Sequence, residues 1–235
     1  TNLALSSTNT LSPAAVLESA ASVSWYRAGV SGQGEGPMVL TPMGRSGHYF
    51  NTQDRRTHSV QWTESLTRQF TGPFGEHLLN AGFDLMCAGY TATSLSRTVV
   101  VRRADGTTSE RVEFGGPTAQ RVSGTDLAVY VQDRWRPARS LLVEPGVRLD
   151  RDGVLRQTTV SPRVGLVLRP IGRESTVVRG GVGVFTERTP LNVGAFESFE
   201  PATVTRFAAD GITVRSAPVT FTHRRSALAI PRAVV

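Results

Sequence analysis

Apolar side chains recur at every second residue of this sequence, segment after segment, and hardly anywhere at the three-to-four-residue spacing of a helix. A period of two puts successive side chains on opposite faces of an extended chain, so each segment has one apolar and one polar face. Leu127, Val129, Val131, Asp133 and Trp135 oppose Ala128, Tyr130, Gln132, Arg134 and Arg136. After a Pro137-Ala138-Arg139 turn, Leu141, Val143, Pro145, Val147 and Leu149 oppose Leu142, Glu144, Gly146, Arg148 and Asp150. Downstream, Pro162, Val164, Leu166 and Leu168 oppose Arg163, Gly165, Val167 and Arg169. Val178, Gly180, Val182 and Val184 then oppose Arg179, Gly181, Gly183 and Phe185. Upstream, Val60, Trp62, Leu66 and Phe70 alternate with Gln61, Thr63, Ser65 and Thr67. Leu79, Ala81, Phe83, Leu85 and Cys87 follow, opposed by Asn80, Gly82, Asp84 and Met86. Glu64 and Arg68 break the apolar side of their segment, so a bulge or register shift is expected there. The pattern predicts an all-β, antiparallel fold.

The connections narrow the choice among such folds. Turns near 71–76, 137–139 and 170–175 are short, whereas those near 29–56, 95–122, 151–160 and 186–220 are mostly long. Alternating short and long connections, with strands of about 9–11 residues, fit a transmembrane β-barrel with short periplasmic turns and long extracellular loops. Phe70, Phe74, Trp135 and Phe185 stand near strand ends, where interfacial aromatic girdles form. Arg97–Arg103 and Thr107–Phe114 flank Ala104-Asp105-Gly106, and Asp-Gly between extended runs signals a two-residue hairpin. This hairpin is expected outside the membrane, extending two barrel strands. Residues 31–36 are Gly-rich and read as a flexible tip.

The apolar fraction of 39% is too high for disorder, and no apolar run approaches the ~18 residues of a helical membrane span. The 26 basic residues are all arginine and outnumber 19 acidic ones, giving +7. They are dispersed along alternating segments rather than gathered with aromatics in one stripe, which argues against nucleic acid as a partner. Arg134, Glu144, Arg148, Arg163 and Arg179 fall on polar strand faces and are the candidate lumen-facing residues. The single Cys87 excludes a disulfide framework and is expected to face lipid. His48, His58, His77 and His223 share no metal-ligand spacing. Gly32-Gln33-Gly34-Glu35-Gly36 lacks the Lys-Ser/Thr ending of a phosphate loop. Asp150-Arg151-Asp152-Gly153 lacks the remaining ligands of a calcium loop and reads as a turn. No catalytic residue, metal site or cofactor site is expected, and the chain does not read as an enzyme.

Tyr130-Val131-Gln132-Asp133-Arg134-Trp135-Arg136-Pro137, followed by Pro145-Gly146-Val147-Arg148-Leu149-Asp150, resembles the barrel of TonB-dependent outer-membrane receptors. Ser161-Pro162-Arg163-Val164-Gly165 and Val178-Arg179-Gly180-Gly181-Val182-Gly183-Val184-Phe185 continue the likeness in order. Gly75-Glu76-His77-Leu78-Leu79-Asn80-Ala81-Gly82-Phe83-Asp84 looks like an earlier hairpin of the same barrel. The likeness covers roughly residues 57–213 and is similar to the Oar-like subgroup, whose N-terminal part carries a carboxypeptidase-regulatory-like domain. It implies an outer-membrane location, a barrel that meets lipid, and nutrient uptake with a small ligand bound non-covalently by loops and lumen. It also implies a plug domain and, through that plug, the TonB complex as partners.

Residues 1–235 are expected to supply about ten meandering strands of a partial barrel and no plug, the missing strands coming from the parent receptor. Thr1 is not an initiator methionine and residues 229–235 do not form a finished element, so the sequence reads as a piece of a longer chain. Two other readings are open. One is a complete small outer-membrane barrel acting as a pore or structural protein, closed through Leu17, Ala21, Val23 and Trp25 at one end and Val219 and Phe221 at the other. The other is a soluble β-sandwich binding module, which requires a second apolar layer over the outward Leu, Val and Trp side chains.

Overall fold

The computed structural model describes residues 1–33, 36–72, 74–170, 176–223 and 232–234. Parts of the expected 31–36 tip and 71–76 turn, and all of 171–175 and 224–230, lie outside the described residues. In chain order the strands are β1 (Asn2–Ser12), β2 (Ala15–Val30), β3 (Met38–Thr41), β4 (Gly44–Ser46) and β5 (Asn51–Gly72). Next come β6 (Gly75–Ser96), β7 (Val99–Arg102), β8 (Thr108–Phe114), β9 (Ala119–Ala138) and β10 (Leu141–Arg151). The last are β11 (Thr158–Leu168), β12 (Val178–Thr186), β13 (Ala202–Arg206), β14 (Val219–Phe221) and β15 (Arg232–Val234). A 3-10 helix, Leu191–Ser198, follows β12.

Nine strands form one antiparallel meander in the order β1-β2-β5-β6-β9-β10-β11-β12-β15. This is a barrel wall in which β1 and β15 end the sheet at opposite edges, so it does not close among the described residues. The small-barrel reading therefore lacks its closing pair. The alternation holds across the registers: Val60 lies opposite Cys87, Trp62 opposite Leu85, and Phe83 opposite Val129. Across β5, β6 and β9 to β12, one face thus gathers most of the apolar residues and the other most of the polar ones.

Buried apolar side chains are few among the described residues, and the small packed cluster of Tyr90, Ala92 and Ala195 lies beside the 3-10 helix. Large apolar residues instead cover the outside: Trp62 is 47% exposed, Leu127 44% and Val164 42%. A soluble sandwich would meet these residues with a second sheet, and none covers them among the described residues. In water such a continuous apolar face is an association hazard; in lipid it is the favourable surface.

Strand lengths depart from the expectation of about 9–11 residues, since β5 and β6 run 22 residues and β9 runs 20. A membrane crossing needs about half of that, so these strands continue well beyond one interface. β1, β10 and β11 are 11 residues each. The long connections carry a second sheet, ordered β14-β13-β8-β7-β3-β4. A hairpin forms at the Asp-Gly turn, but its loop is the three residues Ala104, Asp105 and Gly106 rather than two. Arg103 N–H donates to the Thr107 carbonyl (2.8 Å), Gly106 N–H donates to the Arg103 carbonyl (3.0 Å), and Gly106 takes φ +86°. However, its strands β7 and β8 do not extend β6 and β9. They join β3 and β13, because β6 ends at Ser96 and the chain turns away before β7 starts.

The anomaly at Glu64 and Arg68 also resolves differently from expectation. β5 pairs with β2 and with β6 without any register shift. Glu64 stays on the apolar face, where Ser19 Oγ donates to one carboxylate oxygen (2.7 Å) and Trp62 Nε1 to the other (2.9 Å). Two neutral donors therefore satisfy the carboxylate, and no bulge is needed to hide it.

Candidate functional site

At the end of the wall with the short turns, Phe70, His77 and Trp135 stand side by side on three adjacent strands, each opposite the next in register. Phe70 and His77 stack with centroids 4.8 Å apart, and His77 and Trp135 at 6.0 Å. Trp135 Nε1 donates to the Phe74 carbonyl (2.8 Å), and His77 Nδ1 lies 2.6 Å from an Asp133 carboxylate oxygen. Rings with one polar tip satisfied suit a membrane interface, where one side is apolar and the other wet. Phe185 does not share this role. A Cβ on Gly183 would meet both the Phe185 ring (3.0 Å) and Arg163 Cβ (3.1 Å), so that ring lies on the polar face.

The polar face carries most of the sequence-predicted residues in short ladders. Arg134 Nε donates to Glu144 Oε1 (2.8 Å) between β9 and β10. Arg148 Nε donates to Asp150 Oδ1 (2.8 Å) along β10. Arg163, on β11, reaches across β10 to Gln132 on β9. Gly146 makes that crossing possible: it lies opposite both residues, and a Cβ there would come 3.2 Å from Arg163 Nε and 3.3 Å from Gln132 Cβ. Arg179 lies opposite Val167 near the start of β12 and has no ion pair among the described residues. Thus four of the five candidates sit in local ladders, and Arg179 stands apart from them.

Nearer the long loops, the same face holds a cluster that strand-by-strand reading misses. Arg188 Nη2 donates to Asp84 Oδ2 (3.1 Å), and its Nε lies 3.6 Å from Asp126 Oδ2. Asp84 also accepts from Gln61 Nε2 (2.9 Å), and Asp126 accepts from the Gly153 N–H (2.7 Å). Asp152 accepts from the N–H groups of Val154 (2.9 Å), Leu155 (2.7 Å) and Thr189 (3.1 Å). Burial pushes its carboxyl up, but the hydrogen bonds from Thr189, Leu155 and Val154 outweigh burial and hold it below the ordinary range. The signal was present in the sequence: Asp84 and Asp126 belong to polar faces and fall on adjacent strands, so the pair demands a cation. Its source, Arg188, comes from beyond the last strand that patterning could read.

The chain at Asp150 and Arg151 is therefore still the end of β10, and it turns only at Asp152. With Arg148, Arg151 and Arg188, Asp150 and Asp152 line a recess of about 220 Å³ whose charged walls combine both signs. The 3-10 helix lies against β6 and β9 at this level, with Leu191, Val122 and Phe199 packed on Tyr90 and Ala195. Tyr90 Oη donates to Gln120 Oε1 (3.2 Å), and the Ser96 N–H donates to Glu200 Oε2 (2.8 Å). The first joins β6 to β9, and the second, with the packing of the 3-10 helix, ties the segment after β12 to the tall strands. Cys87 sits on the apolar face opposite Val60 and Thr125, as expected.

An antiparallel meander with one apolar face, an aromatic girdle and an opposite face that is polar and carries arginines has the form of an outer-membrane β-barrel wall. The family model described as TonB dependent receptor-like, beta-barrel, matches residues 3–216, and the chain belongs to that family. Its place is the outer membrane, and its family is one of receptors and transporters. Among solved structures, the chain resembles the outer membrane transporter YddB from Escherichia coli at 14% identity and a TM-score of 0.60. It also resembles the siderophore receptor PirA from Acinetobacter baumannii at 12% identity and a TM-score of 0.54. Each likeness covers 88% of this chain but 32% of the solved one, so the chain spans about a third of their length. No curated protein matches the chain.

Proposed function

We propose that this chain is a wall segment of an energised uptake receptor, binding a small ligand non-covalently through its polar face and the loops above it. Arg134, Glu144, Arg148, Arg163 and Arg179 line the lumen in this reading. The remaining wall strands and a plug domain complete the barrel, and the TonB complex acts on that plug from the periplasmic side. The observation that carries the proposal is the continuity of the polar face. The Arg134–Glu144 and Arg148–Asp150 ladders lead directly to the recess formed with Arg188 beside the long loops. Fixed charge pairs of this kind offer hydrogen bonds to a polar ligand without leaving bare charge in the lumen.

The test is uptake by cells expressing the parent receptor, with a panel of radiolabelled ferric siderophores as probes, in strains with and without a working TonB. The reading expects uptake of at least one probe that vanishes without TonB and weakens when Arg188→Gln unties Asp84 from Asp126. Uptake independent of TonB, or a purely size-limited leak of every solute, would replace it with a passive pore.

A further inference from the structure

Outward-facing residues change abruptly where the tall strands leave the apolar band. On β5 the outward series runs Leu66, Glu64, Trp62 and Val60, then His58, Arg56 and Asp54. On β2 the apolar series ends at Trp25 and the next outward residue is Arg27. On β9 it ends at Leu127, and Thr125 and Ser123 precede Arg121. The registers align these endings: Arg27 lies opposite Arg56, Arg56 opposite Thr91, and Thr91 opposite Arg121. Three arginines and a threonine thus form one cross-strand row on the lipid-facing side of four neighbouring strands.

The depth of the row is set by strand geometry. From the girdle residue Phe70 to Val60, β5 rises about 26 Å along the membrane normal, at ~3.4 Å per residue and ~40° tilt. That is the height of a barrel's outward apolar band. Arg56 stands about 10 Å further out on the same geometry, at headgroup level on the side of the long loops.

The charges in the row do not cancel. Like charges directly opposite each other repel, and Arg27 and Arg56 share one carboxylate. Arg27 holds Asp54 with two hydrogen bonds (3.1 and 2.9 Å), leaving Arg56 at 3.5 Å from it. Both arginine side chains remain open, at 66% and 63% exposure. Arg121 is exposed and has no ion pair among the described residues. Between Arg56 and Arg121 lies a recess of about 330 Å³, with Thr91 and Thr93 on its wall and Asp54, whose carboxylate Arg27 holds, beside Arg56.

We propose that this recess binds the phosphate of an outer-leaflet lipid headgroup, with Arg56 and Arg121 as the paired cations and Thr91 and Thr93 as neutral donors. Two guanidinium forks, two hydroxyls and an adjoining apolar wall match a phosphate carried on acyl chains. A free anion would gain nothing from that wall.

The experiment uses the parent receptor, purified in mild detergent and stripped of lipid, titrated with a bisphosphorylated disaccharide glycolipid under native mass spectrometry. Arg56→Gln/Arg121→Gln should weaken binding roughly 25-fold, at about fivefold per arginine near a charged surface. Arg56→Lys/Arg121→Lys should restore most of it, and Arg136→Gln/Arg139→Gln at the opposite rim should leave it unchanged. For the unaltered protein, the dephosphorylated glycolipid should bind at least tenfold more weakly, and millimolar inorganic phosphate should fail to compete. Equal binding by the glutamine variant or of the dephosphorylated lipid would overturn the proposal. Effective competition by inorganic phosphate would also overturn it, in favour of a soluble-anion site.

Discussion

Tyr130 lies across Gly82, its direct partner in register, so closely that a Cβ on Gly82 would fall 2.7 Å from the phenolic oxygen. The Glu64 carbonyl oxygen would be nearer still. Strand glycine is normally a weakness, and here it is the space that admits a large ring on the polar face. Gly82→Ala is expected to cost about 1–3 kcal/mol through overpacking, read from urea unfolding in lipid vesicles. In a Tyr130→Ala background the cost should shrink without vanishing, because the backbone contact remains.

The Glu64 carboxylate on the apolar face gives two opposite outcomes. Ser19→Ala withdraws a donor from a half-buried anion and should destabilise the barrel by about 1–3 kcal/mol. Glu64→Leu removes the charge altogether and should leave stability unchanged or raise it, as replacing desolvated charge by an apolar group often does. Both are measured as shifts of the same unfolding midpoint. A large loss from Glu64→Leu would mean that the carboxylate serves a contact outside this wall.

Within the girdle, His77→Ala should cost about 1 kcal/mol by removing a ring stacked on both sides. His77→Phe keeps the stack but strands the Asp133 carboxylate, so it should recover only part of that loss. Trp135 fluorescence should shift to longer wavelength in His77→Ala, as its indole gains water. No shift would place the stack away from the interface.

Asp210 supplies a pH-dependent turn among the long loops. Its carboxyl is held down from 3.8 to about 2, first by the Thr213 hydroxyl and then by the N–H groups of Ile212 and Thr213. A depressed folded value favours the charged form, so the turn is fully supported above about 4 and loses that support as pH falls through about 2. Hydrogen exchange at Ile212 and Thr213, corrected for intrinsic rates, should show steady protection down to about pH 4 and a decline below it. Asp210→Asn should show the weaker protection at every pH.

Much of the fold is legible in the sequence because a single sheet in lipid leaves its pattern undisguised. The faces of β5, β6 and β9 to β12 follow directly from alternation, and so do most of the polar ladders. β1 was not legible: its Ser, Thr and Asn residues show little contrast between faces, and all of it is exposed. Strand ends are also hidden, because β5 and β9 continue past the apolar band with mainly polar residues on both sides, and β6 continues with its apolar Tyr90 and Ala92 on the other face. The second sheet escaped for a related reason, since its pairings join β3 to β7 and β8 to β13 across long separations that no local pattern encodes. Phe185 stands near a strand end, as a girdle residue would, yet its parity with Arg179 puts it on the polar side.

The central claim is that Leu79, Ala81, Phe83 and Leu85 face lipid while Asn80, Gly82, Asp84 and Met86 face water. Single spin labels along residues 79–86 of the parent receptor, in a Cys87→Ser background and native outer membrane, test it through oxygen and nickel-chelate accessibility. The account predicts strict alternation, with oxygen favoured at odd positions and the chelate at even ones. Uniform chelate access at odd and even positions alike would contradict a membrane wall.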